Sequence, residues 1–199
     1  MPKPLEVRLR ELGPRAPGVV VAVVDASGIR EIAALGTADI ARRAPATPAT
    51  PWPWFSMTKV VTVTTAMRMV ERGEIDLDEP VAAHVPALAR LDPAAWAARI
   101  TARHLMSHRS GIANPIPLRW IRPPNEPAAD VEALAEKRLS QNRRVRFEPG
   151  AKARYTNLGM LVLGAAMQRV AKTLFGPRAF SAAMVGPGGD AERLAAILS

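Results

Sequence analysis

Phe55-Ser56-Met57-Thr58-Lys59-Val60-Val61-Thr62-Val63-Thr64-Thr65-Ala66-Met67-Arg68-Met69-Val70-Glu71-Arg72-Gly73 admits two readings, and the choice between them sets the fold. Residues 60–65 are rich in β-branched side chains, which suit a pleated strand. The apolar spacing is helical instead. Val60, Val63, Met67 and Val70 fall at i, i+3, i+7 and i+10, along one face, and Gly73 supplies a left-handed stop. We read residues 56–72 as a helix. Residues three apart on a helix share a face, so Ser56 and Lys59 stand together at its start, a hydroxyl nucleophile beside an amine.

Working outward, residues 37–53 contain Pro45, Pro48, Pro51 and Pro53. Each removes a backbone donor and discourages regular structure, so a loop delivers Ser56. Upstream, Gly18-Val19-Val20-Val21-Ala22-Val23-Val24 reads as a strand, Asp25-Ala26-Ser27-Gly28 as a turn and residues 29–35 as its antiparallel partner. A short helix over residues 5–12, ended by Gly13-Pro14, comes first. Downstream, helices are expected from Thr101 as N-cap to His108, over about 128–140, and from Asn157 as N-cap to Val170. In the last, Leu158, Leu161, Val162 and Ala165 form an i, i+3, i+4, i+7 stripe. Trp52, Trp54 and Phe55 are read first as packing beneath the loop and second as lining a substrate mouth.

Tyr155, the chain's only tyrosine, stands in Tyr155-Thr156-Asn157 about a hundred residues beyond Ser56. A phenol brought to the serine and lysine would complete a proton-transfer cluster suited to acyl transfer through a covalent serine ester. Three further stretches sharpen this. Ser56-Met57-Thr58-Lys59 leads on to Glu74-Ile75-Asp76-Leu77-Asp78-Glu79-Pro80-Val81; then come His104-Leu105-Met106-Ser107-His108-Arg109-Ser110-Gly111-Ile112 and Phe147-Glu148-Pro149-Gly150 before Tyr155-Thr156-Asn157-Leu158-Gly159. In this order they resemble the penicillin-recognising serine hydrolases, namely class C β-lactamases, D,D-peptidases and related esterases, over roughly residues 15–170.

The resemblance implies an α+β, β-lactamase/transpeptidase-like fold, an antiparallel sheet with a helical region. It makes Ser56 the nucleophile, Lys59 and Tyr155 the two candidate bases, and Asn157 a substrate-binding residue that also hydrogen-bonds Lys59. The lysine's role is disputed even among the related enzymes. His108 matches the family's histidine in its T-H-T-S-G segment and is implied to be a scaffold residue. A family K-T-G or H-x-G strand is not matched: the last lysine stands in Lys172-Thr173-Leu174, on the presumed helix, and no histidine follows Asn157. We therefore expect the C-terminal part of the fold to be incomplete. Residues 1–170 are the N-terminal and helical portion of the hydrolase domain and 171–199 a divergent tail, with Pro177, Pro187 and Gly186-Pro187-Gly188-Gly189 in loops. The function expected is hydrolysis through an acyl-Ser56 intermediate of a β-lactam, D-amino-acid peptide or small ester. The alternative is a catalytically silent fragment or interaction module.

Composition narrows the partners. There is no cysteine, so no disulfide framework and no thiolate metal site. His104 and His108 lie at i, i+4, but H-L-M-S-H lacks the glutamate of H-E-x-x-H. No cofactor is expected, and no G-x-S-x-G elbow points to an α/β-hydrolase. The formal charge is +9, yet 22 of the 27 basic residues are arginine, spread among acids and prolines, and no nucleic-acid motif accompanies them. A basic nucleic-acid binder is the weakest reading. The N-terminus has no apolar core of a secretory signal and no apolar run approaches membrane-spanning length, so a cytoplasmic chain with no membrane partner is expected. Nothing in the sequence sets the oligomeric state.

Overall fold

The computed structural model describes residues 4–12, 16–115 and 130–176. They fall into two compact units, divided between Pro53 and Trp54.

In the first unit, helix α1 (Leu5–Leu12) lies against a three-stranded antiparallel sheet of order β1-β2-β3, formed by β1 (Gly18–Asp25), β2 (Gly28–Asp39) and β3 (Ala44–Pro45). The expected hairpin is present. Its register pairs Gly18 with Gly36 and Asp25 with Gly28, slipping once between Val23 and Val24. The Asp25 carboxylate takes the Ser27 N–H at 2.8 Å and its hydroxyl at 2.6 Å, closing the turn. Regular structure runs further than expected, because β2 continues to Asp39 and pairs with β3 inside the segment read as loop. Pro45 is tolerated there since β3 is an edge strand. Asp25 ionises below its ordinary value because Ser27 hydrogen-bonds it.

The second unit is helical: α2 (Thr58–Glu71), α3 (Ala94–Ala97), α4 (Ala102–Met106), α5 (Val131–Gln141) and α6 (Asn157–Phe175), with 3₁₀ turns at Phe55–Met57, Val81–Ala83 and Pro86–Arg90. Residues 58–71 are helical despite their β-branched run. Thr62 and Thr65 return their hydroxyls to the Thr58 and Val61 carbonyls, and Gly73 follows at φ +70°. The buried face differs from the expected stripe. Ala66 and Met69 are buried, with Val63 and Val70 packed against the core, whereas Val60 and Met67 are exposed.

Helix α6 is the core of this unit, packing against α2, α4 and α5. Leu158, Val162, Leu163, Ala165 and Met167 on it are buried, together with Leu88, Ile100, Leu105 and Leu139 from its neighbours. At 19 residues it is long and apolar enough to cross a membrane, correcting the sequence reading. With 61% of its apolar window buried inside the protein, it has the profile of a core helix. Lys172 lies on α6, bonded to Glu132 of α5 at 2.8 Å. The helix runs to Phe175, past the expected boundary at 170. The expected loops around Pro177 and Pro187, the Gly13-Pro14 stop and the first residues of the 128–140 helix lie outside the described residues. α5 starts at Val131 behind an Asp130 cap that accepts the Ala133 N–H.

Candidate active site

Ser56 occupies the 3₁₀ turn that leads directly into α2, and Lys59 lies in the first turn of the helix. The Lys59 amine donates to Ser56 Oγ at 3.2 Å. On its other side Ser56 Oγ is 2.6 Å from the Tyr155 hydroxyl, and the lysine nitrogen sits 5.0 Å from the centre of the phenol ring. The three residues expected to converge are therefore together, although 99 positions separate the serine from the tyrosine. Phe55, just before the serine, has φ 43°, an uncommon conformation for a bulky residue.

Tyr155 is carried there by the other two motifs. The Arg146 N–H donates to Gly111 O at 2.8 Å, Gly150 N–H to Arg109 O at 2.9 Å and Arg154 N–H to His108 O at 2.8 Å. Ile112 and Val145 form an antiparallel bridge. Residues 108–112 thus clamp the chain that leads to the tyrosine. Gly111, at φ +76°, permits this approach, because a Cβ on it would meet the Phe147 carbonyl oxygen at 2.2 Å. His108 has φ 57°; its ring packs on Tyr155 with centroids 4.6 Å apart, and its Nδ1 accepts the Thr156 N–H at 3.4 Å.

The start of α6 is secured differently from the expectation. The N-cap is Thr156, whose hydroxyl accepts the Gly159 N–H at 3.1 Å, and Asn157 is the first helical residue. The Asn157 N–H donates to Asn114 Oδ1 at 3.0 Å. The hydrogen bond expected between the Asn157 side chain and Lys59 is not among those of the described residues. Asn114 escaped the sequence reading; its one signal was its place three residues after Gly111.

The family segments serve the scaffold too. Asp78 grips Arg103 of α4 through two bonds of 2.7 and 2.8 Å, which holds the Asp78 carboxyl below its usual range. Thr101 caps α4 in a reciprocal box with His104. His104 and His108 are thus occupied by backbone contacts, and no group of three or more metal-ligating side chains forms among the described residues. Trp52, Trp54 and Phe55, read first as packed beneath the loop, are exposed at 41%, 63% and 67%.

Charge within the cluster is distributed unevenly. Burial pushes the Tyr155 phenol up, but hydrogen bonds from Lys59 and Ser56 and the charge on Lys59 outweigh it, so Tyr155 ionises below its ordinary value. Burial, aided by Lys59, also lowers the His108 imidazole. The arrangement favours a neutral imidazole, and it favours a phenol that gives up its own proton more readily than usual, leaving a phenolate that can take a neighbour's.

The fold is β-lactamase/transpeptidase-like, and its helical unit brings a serine, a lysine and a tyrosine together at the head of one helix. The family model for beta-lactamase matches residues 8–184, and the chain belongs to that family. It is 37% identical over 98 residues to the serine beta-lactamase-like protein LACTB, mitochondrial, of Homo sapiens, covering 49% of this chain and 18% of that protein. Among solved structures it resembles SurE in a crystal with D-Leu, at 27% identity and a TM-score of 0.61, over 79% of this chain and 33% of that one. It also resembles EstCE1, a hydrolase with promiscuous acyltransferase activity, at 26% identity and a TM-score of 0.60, over 83% and 45%. The chain thus spans less than half the length of each.

Proposed function

We propose that this chain carries the nucleophile and proton-transfer half of a serine hydrolase that works through an acyl-Ser56 intermediate. One observation carries the reading: Ser56 Oγ lies within hydrogen-bonding distance of both Lys59 Nζ and Tyr155 Oη. With Oγ accepting from Lys59, the relay uses the arrangement in which Ser56 donates its own proton to Oη. Tyr155, its ionised form favoured by the lysine, takes that proton as Oγ forms its bond to the substrate carbonyl carbon. The phenol then returns the proton to the departing alcohol or amine, and water releases the acyl group by the same relay in reverse. Lys59 serves as the donor that holds Oγ and lowers the phenol. Ser56 stands in the 3₁₀ turn at the head of α2, where the helix dipole favours developing negative charge, and an amide donor aimed at that charge is worth about 2.7–4 kcal/mol.

The substrates proposed are small esters, amides or β-lactams, including those with a D-amino-acid acyl group. The likeness to EstCE1, a hydrolase with promiscuous acyltransferase activity, and to SurE, crystallised with D-Leu, supports that range. Asn157 is proposed to meet the substrate from the start of α6. The chain is proposed to act in the cytoplasm, without nucleic-acid or membrane partners. The test is covalent labelling by a fluorophosphonate, with the adduct located by peptide mass spectrometry. Labelling of Ser56 that disappears in Ser56→Ala is expected; equal labelling of the variant would remove the proposal.

A further inference from the structure

We propose that His108 is a positioning residue that seats the Tyr155 phenol by staying a neutral imidazole, so that protonating it withdraws the phenol from Ser56. This rests on the reading of Tyr155 as the site's phenol, and it goes beyond the scaffold role the sequence suggested.

His108 touches the tyrosine segment three times. Its carbonyl takes the Arg154 N–H at 2.8 Å, its Nδ1 takes the Thr156 N–H at 3.4 Å, and its ring lies against the Tyr155 ring. The residues on both sides of the phenol are therefore tied to one histidine. That histidine is held left-handed, at φ 57°, a conformation in which both its carbonyl and its ring meet the segment around Tyr155. The Nδ1 contact works only while that nitrogen carries a lone pair. In the imidazolium both ring nitrogens are donors, so the Thr156 N–H would face another N–H. The new charge would also stand near Lys59 of α2, the cation already acting on this ring and lying over the same phenol. On its own segment His108 is flanked by His104 and Arg109, whose backbones and side chains are engaged with Thr101 and Gly150. Arg154 faces it through its backbone. Protonation thus removes an acceptor and adds repulsion at the contact that fixes Tyr155, leaving the Tyr155–Ser56 bond as the link that gives way.

The chain's single tyrosine makes this directly observable. Tyrosine labelled with ¹³C in its ring gives one residue's signals, and the histidine C2–H resonances follow His108 in the same sample. On lowering the pH through the His108 titration, the Tyr155 resonance is expected to shift in step with it. In His108→Asn, which tolerates the left-handed backbone and keeps an acceptor that cannot titrate in this range, that acid step is expected to vanish. A Tyr155 signal that stays fixed while His108 protonates would overturn the proposal, as would a folded His108→Asn protein that retains the step. If the variant fails to fold, the wild-type titration alone decides. Neither measurement needs turnover, so an unlabelled Ser56 would sink the hydrolase reading and leave this one standing.

Discussion

At the scale of single residues, the cluster makes unequal demands on its members. Tyr155→Phe keeps the ring against His108 and removes the hydroxyl that receives the serine proton. Fluorophosphonate labelling is then expected to slow by about 10²–10⁴, the usual worth of a positioned base. Lys59→Met removes the donor that lowers the phenol, so Tyr155 should titrate closer to its ordinary value in an ultraviolet difference titration, with slower labelling. An unmoved titration would show that the lysine does not tune the phenol. The histidines contribute to stability just on the acid side of neutrality. His104 and His108 are both lowered by burial, so the unfolded chain binds their protons at higher pH than the folded one. Their contribution is complete above the ordinary histidine value near 6.5 and is lost as pH falls through the folded values. Melting temperature should decline across that window, and less steeply in His108→Asn. Ser56, Lys59 and Tyr155 were legible because a three-residue spacing and one unique tyrosine mark them. The contacts of His108 with the tyrosine segment were not, because they depend on a left-handed backbone that no periodicity announces.

At the scale of elements, helix against strand was decided correctly for residues 58–71, but the buried face was displaced. Val60, Val63, Met67 and Val70 and the observed set of Val63, Ala66, Met69 and Val70 are both helical stripes. The displacement arises because valine and methionine were counted as inward, while small Ala66, at 1% exposure, marks the closest approach to the core. The assignment can be tested directly. Met69→Ala should cost about 2–5 kcal/mol, as buried large-to-small changes do, whereas Val60→Ala on the exposed face should stay within about 0.5 kcal/mol. Equal costs in chemical denaturation would contradict the burial described. The head of α6 offers a second test. A Cβ on Gly159 would lie 2.7 Å from Thr156 Cγ2 and 3.8 Å from Leu105 Cδ2, so Gly159→Ala pushes the cap against buried neighbours. A loss of about 1–3 kcal/mol is expected, despite alanine's better helix propensity. The sequence placed this helix correctly and chose Asn157 as its cap, because asparagine and threonine are both good caps and only the backbone conformation separates them.

At the scale of the whole molecule, the elements of the two units were legible to different degrees. The helical unit announces itself through ordered motifs and one apolar helix, whereas the sheet's true extent was hidden by prolines that an edge strand accommodates. The units also differ in how much they bury. Of the first unit's described residues only Ala33 is buried; on its sheet Val23, Val24, Ile29 and Ile32 are exposed, and among the described residues β1 is at an edge. Unpaired edge groups beside exposed β-branched side chains form a template for strand addition. The chain should therefore self-associate as concentration rises, even though its charge of +9 opposes approach. Val24 and Ile29 are register partners, so replacing them with lysine and glutamate respectively sets opposite charges across the hairpin, which is favourable, and leaves net charge unchanged. Both sites are about two-thirds exposed already, so folding stability should move by less than about 0.5 kcal/mol. Sedimentation velocity over a concentration series is expected to show weaker association for the double variant than for the parent. Because the net charge is the same in both, such a change would report the loss of the apolar surface itself, and identical association would show that this sheet is not where the copies meet.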